Sequence, residues 1–562
     1  MLFIVYSQVS EEQLKQSLGM PEYSYYFVLK GFLPVLRELG KVVVVKNPEQ
    51  EVDAIYDDCL KRGEDCVFLT FSPPNKSAIG LRCPTVCVFA WEFDRIPDEV
   101  WDGDMKNDWR NVFMDHGRAI TLSQYSANAV KKAMGPDFHV ASIPVPVWDT
   151  FATYAIRHNP FPTAKTEMAI RGNIIDSRNY VITPESFEIK NSFEGFNFKD
   201  FPGGTSRMGF SLTDEFRAYL GGFYDPESWG TWSRVEKPWV LIPYKLNGDV
   251  CLKIRARGYA ANIGKEIFIS MGNEKQNITL SSDFTETTAS FHLKKAENIL
   301  KFSGLDLSPV PDARDSRSMV VGLHCLELTA DADQSDKMQE ADSGDALRNI
   351  SLDGIVYTSV FNPCDDRKNW IDMVKAFCAA FQDVEDTTLV LKMTHHSVSS
   401  FLGRLHFLFQ QMWPFKCRIV ALHGYLDDAE YEKLIAATSF YVNAARCEGL
   451  CLPLMEFMSC GKPAIAPCHT SLADYVEQSS TLLVQSGVEP AIWPHDPREL
   501  FRALKYRIDW ESLMNAYRHS YEIVKNKPEA YREMAEAARL KMKDYSALST
   551  VEKQLQRFLD VK

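Results

Sequence analysis

Short β-branched runs alternate with helical patterns from the first residues onward: LFIVYS at 2–7, a helical pattern over Tyr23–Leu39, VVVV at 42–45, a second helical pattern over Asp53–Lys61, and CVFLTF at 66–71. The same punctuation continues through TVCVFAW at 85–91, AITLSQ at 119–124, a helix over Ser126–Met134 and HVASIPVPV at 139–147. Apolar strands separated by amphipathic helices predict a doubly wound parallel sheet, whose ligands gather at the carboxyl ends of the strands. Residues 1–150 therefore read as an N-terminal Rossmann-like lobe.

The texture then changes. Over 151–330 the chain is cut into short alternating strands with turn residues between them, among them WVLIPY, VCLKIRARGY, EIFISMG, TASFHL and GLHCLEL. Period-two alternation with frequent turns predicts an antiparallel β-sandwich. Residues 331–350, DADQSDKMQEADSGDALRNI, are acidic and lack periodicity, and they read as a linker. The βα alternation returns from Gly354 with IVYTSVF, a helix over Trp370–Phe381, TTLVLKM, a helix over Ser399–Met412, CRIVALHG, a helix over Asp428–Ala437 and SFYVNAA, which makes 351–509 a second Rossmann-like lobe. Residues 510–562 are helical and heavily charged, and they are expected to close the structure across the lobes. The fold class is α/β: two Rossmann-like lobes with an inserted antiparallel β-sandwich.

Composition narrows the function. In 562 residues the formal net charge is −13, which argues against a protein that tracks nucleic-acid phosphates. No apolar stretch approaches the length of a membrane span, and MLFIVYSQVSEEQ reads as a first core strand rather than a signal peptide. The 13 cysteines show no CxxC spacing and several fall inside predicted elements, which fits a reducing, cytoplasmic setting without a structural zinc. His395 and His396 are adjacent on an extended segment, so their side chains point apart and do not read as a metal pair. Neither metal nor organic cofactor is expected.

The chemistry concentrates in Arg446 to Tyr475, RCEGLCLPLMEFMSCGKPAIAPCHTSLADY. Its punctuation is a strand end at Ala445, a tight loop over 447–452, a helix opened by Pro453 and ended by Gly461, and a strand at PAIAP. Unpaired N–H groups and the dipole at such a helix start suit a phosphate. Glu448 on the loop and Glu456, placed by this reading in the first helical turn, flank that point as acceptors for sugar hydroxyls.

On these residues the chain resembles the GT-B glycosyltransferases of the retaining family 4, whose hallmark is E-x7-E followed by a G-x-P-x-I turn. The match is Glu448, Glu456, Gly461, Pro463 and Ile465. The resemblance implies that Glu456 holds the ribose hydroxyls, that Glu448 lies against the donor sugar, and that the backbone at Gly449, Leu450 and Cys451 approaches the donor. A second matching stretch, VYTSVFNPCDDRKNW, puts Lys368 at the family's lysine position. The family's arginine falls near Asn362 or Pro363, which are uncharged, and Arg367 stands in for it. Without a metal these cations would neutralise the departing diphosphate.

In the N-terminal lobe VCVFAWEFDRIP carries Glu92 and Asp94 at a strand end, where relatives place a group beside the transferred sugar. Glu92 reads either as a general base for the acceptor hydroxyl or as a carboxylate capping the following loop. Gly19 in GMPEYSYYF resembles the first loop that crosses the interlobe cleft in relatives. The central insert, with GFYDPESWGTWS and RDSRSMVVGLHCLEL, resembles a β-sandwich module found beside bacterial surface-polysaccharide enzymes, phosphoglycerol transferases included. Trp229 and Trp232 there are either glycan contacts or core anchors.

The function so implied is transfer of a sugar from a nucleotide diphosphate sugar to a glycan or lipid-linked oligosaccharide, in the cytoplasm or peripheral to the inner membrane. A non-catalytic glycan-binding scaffold and a nucleotide-sugar epimerase are the alternatives.

Overall fold

The computed structural model describes residues 1–9, 17, 19–20, 22–157, 165–179, 199–201, 204–212, 214, 216, 219–246, 248–294, 297–311, 315, 317–330, 347–395, 399–494 and 496–560. They form two compact units, one of residues 1–171, 347–396 and 415–562, the other of 172–346 and 397–414.

The first unit contains both parallel sheets. In the N-terminal lobe β1 (Leu2–Ser7), α1 (Tyr23–Leu39), β2 (Lys41–Val44), α2 (Pro48–Arg62), β3 (Cys66–Phe71), β4 (Thr85–Phe89), α3 (Trp109–His116), β5 (Arg118–Thr121), α4 (Gln124–Met134) and β6 (His139–Ser142) build a six-stranded sheet in the order β2-β1-β3-β4-β5-β6. Every pairing is parallel. Helices cover both faces of such a sheet, and for that reason β3 and β4 are buried at every position. After α5 (Trp148–Arg157), β7 (Thr166–Arg171) pairs antiparallel with strand Leu347–Leu352. The end of the expected acidic linker is therefore a strand, while its residues 331–346 lie outside the described residues.

The second parallel sheet of this unit runs in the order Thr481–Val484, Ala464–Pro467, Phe440–Val442, Ile355–Phe361, Thr387–Met393, Arg418–His423. Its helices are α6 (Trp370–Ala380), α8 (Asp428–Ala437) and α9 (Leu452–Ser459). The α/β class and the two Rossmann-like lobes expected from the alternation are both present. One predicted crossover helix, α7 (Ser399–Met412), belongs to the other unit instead. Its positions 401–409 are buried almost all round, so its period could not reveal which neighbour covers it.

An antiparallel hairpin, Ser486–Ile492 with Phe501–Ile508, follows the second sheet; Pro490, Pro494 and Pro497 obscure it in the sequence. Three helices end the chain: α10 (Trp510–Asn526), α11 (Pro528–Ser546) and α12 (Leu548–Leu559). Tyr517 of α10 joins Tyr357, Phe377 and Phe381 in an aromatic cluster of the second lobe. Phe558 of α12 lies on His139 of the first lobe at 4.5 Å, so the terminal helices touch both lobes.

In the other unit one antiparallel sheet orders Gly204–Gly209, Val321–Ala330, Gly248–Gly258 and Thr285–Leu293, with Thr231–Trp232 paired to Val321–Ala330. A second orders Leu220–Gly221, Trp239–Leu241, Ile299–Ser303, Glu266–Met271 and Glu274–Thr279. Their inward residues, among them Leu252, Ile254, Leu326, Ile269 and Phe302, form one apolar core. The alternation in Gly248–Gly258, buried at every second position, is the pattern expected of a strand with one face inward.

Candidate functional site

The site grows from the loop between strand Phe440–Val442 and α9. Asn443 follows the strand and turns its amide inward, its Nδ2 donating to Glu448 Oε1 at 3.2 Å while its Oδ1 accepts the Ala445 N–H. The Glu448 N–H donates to Thr470 Oγ1 at 3.1 Å, and Glu448 itself is 2% exposed. A carboxylate this deep needs cations and donors. Lys368 Nζ lies 2.8 Å from both oxygens, and Arg367 Nη1 donates to Oε2 and to the Cys447 carbonyl, each at 3.1 Å. Burial pushes the Glu448 carboxyl upward, but Lys368, Arg367 and the hydrogen bonds outweigh it and hold the group below its ordinary value.

Arg367 also reaches the other lobe. Its Nε is 3.3 Å from Glu92 and 2.9 Å from Asp365. Burial raises the Glu92 carboxyl, and the Arg367 charge offsets only part of that rise. The backbone before Glu92 is pinned: Ala90 N donates to the Tyr25 hydroxyl, and Ser126 Oγ donates to the Trp91 carbonyl at 2.6 Å. Glu92, Arg367, Lys368 and Glu448, four of the predicted residues, thus meet where the carboxyl ends of both sheets converge, as doubly wound sheets favour.

Asp94 does not join them. Its carboxylate accepts the Leu504 N–H of the hairpin at 2.9 Å and pairs with Lys132 at 3.2 Å, so it fastens the hairpin to the N-terminal lobe. Gly19, with φ +83°, has its carbonyl bonded by Asn362 Nδ2 at 3.0 Å, and a Cβ there would come within 2.7 Å of the His395 ring. The first loop therefore lies against the second lobe, on the position where the family's arginine was sought.

The residues before α9 show why glycines suit this loop. A Cβ on Gly449 would stand 2.9 Å from Ala90 Cβ and 3.2 Å from Trp91 N, so a larger residue would force the two lobes apart here. The Leu450 carbonyl accepts the Tyr475 hydroxyl at 2.7 Å. Cys451 is the N-cap at φ +65°, in the left-handed region that glycine occupies without strain, and its thiol contacts Asn443 Nδ2 at 3.2 Å. The Cys451 side chain makes no capping hydrogen bond to α9. Its first-turn amides are aimed at the loop, as an anion site requires.

Glu456 is the fifth residue of α9, in the second turn rather than the first, because the helix starts at Leu452. It is partly buried and accepts the Tyr431 hydroxyl at 2.5 Å. Burial pushes its carboxyl up to about 7, against the lowering effect of that hydrogen bond and of the Lys30 charge.

Several members of the site escaped the sequence reading. Asn443, Tyr431 and Thr470 carry no motif; Asn443 was signalled only by its place just after an apolar strand. His469 is 4% exposed, stacks on Tyr506 of the hairpin with centroids 4.3 Å apart, and among the described residues its Nε2 has no hydrogen-bond partner.

Comparison with known proteins adds a family match in the other unit: residues 207–327 fit a domain of unknown function, DUF7024. Phosphoglycerol transferase I of Escherichia coli O157:H7 and that of Shigella flexneri are each 27% identical over 139 residues, 24% of this chain and 18% of the relative. The chain thus aligns with about a fifth of the length of these relatives. Among solved structures, Anabaena HepE in complex with UDP-glucose aligns at 11% identity and TM-score 0.44, covering 100% of this chain and 99% of that one. A glycosyltransferase from Rickettsia africae ESF-5 aligns at 10% identity and TM-score 0.43, covering 100% and 98%.

Proposed function

We propose that this chain is a glycosyltransferase that moves a sugar from a nucleoside diphosphate sugar to a glycan or lipid-linked acceptor. The observation that carries the reading is the convergence of Lys368 and Arg367 on Glu448 in front of the uncapped start of α9. Two cations and a set of helix amides can neutralise a departing diphosphate without a metal. Glu448 orients both cations before the donor arrives and then meets hydroxyls of the transferred sugar. Glu456 accepts hydrogen bonds from the ribose. In the transfer the anomeric carbon–oxygen bond to the diphosphate breaks and a bond to the acceptor oxygen forms. Glu92, 3.3 Å from Arg367, takes the acceptor proton.

The finer reading follows the resemblance to family 4: retention of anomeric configuration, and a role in bacterial surface-polysaccharide synthesis, in the cytoplasm or at the inner membrane. The partial likeness to phosphoglycerol transferases over 139 residues supports a surface-glycan setting. A glycan-binding scaffold is the second reading, favoured by the fact that Glu448 already occupies both cations.

Isothermal titration against a panel of nucleoside diphosphates and nucleotide sugars, with and without EDTA, separates the two. The transferase reading expects one nucleotide to bind in an EDTA-insensitive manner and Glu456→Ala to weaken it. Absence of binding to every nucleotide would refute it in favour of the scaffold.

A further inference from the structure

Arg257 in the unit of residues 172–346 and 397–414 is held in an unusual way. Its guanidinium carbon lies 4.6 Å from the ring centroids of Trp229, Trp232 and Phe284 alike. Three ring faces on one guanidinium make a strong cation–π site. Among the described residues, no carboxylate pairs with Arg257, and its buried Nε has no hydrogen-bond partner. Most half-buried arginines find an acid, because leaving guanidinium N–H groups unpaired costs free energy.

The backbone is arranged to permit this. Gly322 is the cross-strand partner of both Arg257 and Trp232. A Cβ there would stand 3.0 Å from the Trp232 ring and 3.1 Å from Arg257 Cγ, so glycine, otherwise costly in a strand interior, lets the guanidinium lie on the indole. Gly230, at φ +144°, lets the Trp229 turn press on the same strand, since a Cβ would meet the Leu323 carbonyl. Glu227 then fixes Trp229 by accepting its indole N–H at 2.7 Å, and Glu227 is itself held by Arg317 at 2.8 Å. His324 Nδ1 hydrogen-bonds the Trp229 carbonyl, leaving Nε2 as an acceptor.

The assembly faces solvent: Trp229, Phe284, Tyr259, His324 and Arg257 all remain partly exposed. They lie on the outer face of the sheet, since Ala256, the neighbour of Arg257 along its strand, packs its side chain into the apolar core. Aromatic rings offer flat surfaces to the C–H faces of a sugar, Glu227, Tyr259 and His324 offer groups for its hydroxyls, and the Arg257 fork suits a carboxylate or phosphate. We propose that this outer face is a binding site for a glycan bearing an anionic substituent, with Trp229 and Phe284 stacking on sugar rings and Arg257 pairing with the charge. The inference stands on this unit alone, and shares with the proposed function only a glycan as partner.

The test uses the full chain and three probes in calorimetric titrations: a uronic-acid tetrasaccharide, a phosphodiester-substituted glucan tetrasaccharide and a neutral glucan tetrasaccharide. The proposal expects at least one charged probe to bind about tenfold or more tighter than the neutral one, as loss of a charge-assisted fork implies. Which of the two binds distinguishes carboxylate from phosphate. Arg257→Gln should abolish the preference for charge, and Trp229→Ala should weaken the charged probe. Gly322→Val, which removes neither group but displaces both, should also weaken it. Unfolding transitions of each variant exclude a loss of fold, and Arg257→Lys, which keeps the packing and charge without the fork, serves if Arg257→Gln does not fold. Equal affinity for charged and neutral probes, no binding of any probe, or affinity for inorganic phosphate equal to that for the glycans would overturn the proposal. Nucleotide titration of the same proteins is a separate readout, so failure here leaves the donor-site reading to its own test.

Discussion

Replacing Lys368 by Met keeps most of the side-chain volume and removes the cation. In the parent protein that cation has two 2.8 Å contacts with a carboxylate that is 2% exposed. Removing one partner of a buried pair costs about 3–5 kcal/mol. Glu448 keeps Arg367 at 3.1 Å and Asn443 at 3.2 Å, and Lys368 is 17% exposed at its side chain. We therefore expect a loss of ~2 kcal/mol at pH 8, below the full cost because two partners remain. The pH dependence has a definite sign. The folded-state value of Glu448 is depressed, so its stabilisation is present above the unfolded value and is lost as pH falls through the folded one. The variant lacks the main cation that depresses it, so its carboxyl is neutralised at higher pH than the parent's and the difference between the proteins should shrink as pH falls from 8 toward 4. Urea unfolding of the two proteins at several pH values reads this directly. The double substitution Lys368→Met with Glu448→Gln should recover most of the lost stability at pH 8 while nucleotide binding stays weak. A stability difference that does not change with pH, or no recovery in the double variant, would refute the ion-pair account.

Glu456 should make nucleotide affinity pH-dependent. With its carboxyl pushed up to about 7 by burial, it is largely neutral at pH 6 and charged at pH 8, so affinity should rise across that interval in the parent and stay flat in Glu456→Gln. The same raised value contributes stability that is fully present below the unfolded-state value and is lost as pH rises from there through about 7. Glu92→Gln should slow transfer while donor affinity is kept, measured as kcat against nucleotide Kd; loss of folding or of donor binding would instead mark Glu92 as a structural partner of Arg367. Gly449→Ala should destabilise the chain by about 1–3 kcal/mol, the usual cost of overpacking, because the added Cβ meets Ala90 and the Trp91 backbone rather than a flexible side-chain end. Thermal unfolding checks this, and an unchanged midpoint would mean that the two lobes separate freely at this point.

Much of the architecture follows from local pattern. Runs such as Cys66–Phe71 and Thr387–Met393, buried at every position, suit strands covered on both faces as in a helix-flanked parallel sheet, and the every-second-residue burial of Gly248–Gly258 suits a strand with one wet face. Proline after Cys451 and glycine at 461 marked both ends of α9, and the spacing of Glu448 and Glu456 located the site before any contact was known. What the pattern could not contain is distance between residues far apart in the chain. That Arg367 links Glu448 to Glu92, that Asp94 holds the hairpin, and that Gly449 must be small because Ala90 lies against it are all consequences of packing between residues some 80 to 410 positions apart in the sequence. The same holds for Arg257 among its three rings, whose neighbours at 229, 232 and 284 come together only through the antiparallel register of one sheet. Hydrophobic periodicity is a property of neighbours along the chain and determines which elements form. The state of a buried charge depends on which groups the folded chain brings within about 3–4 Å, and only the tertiary structure decides that.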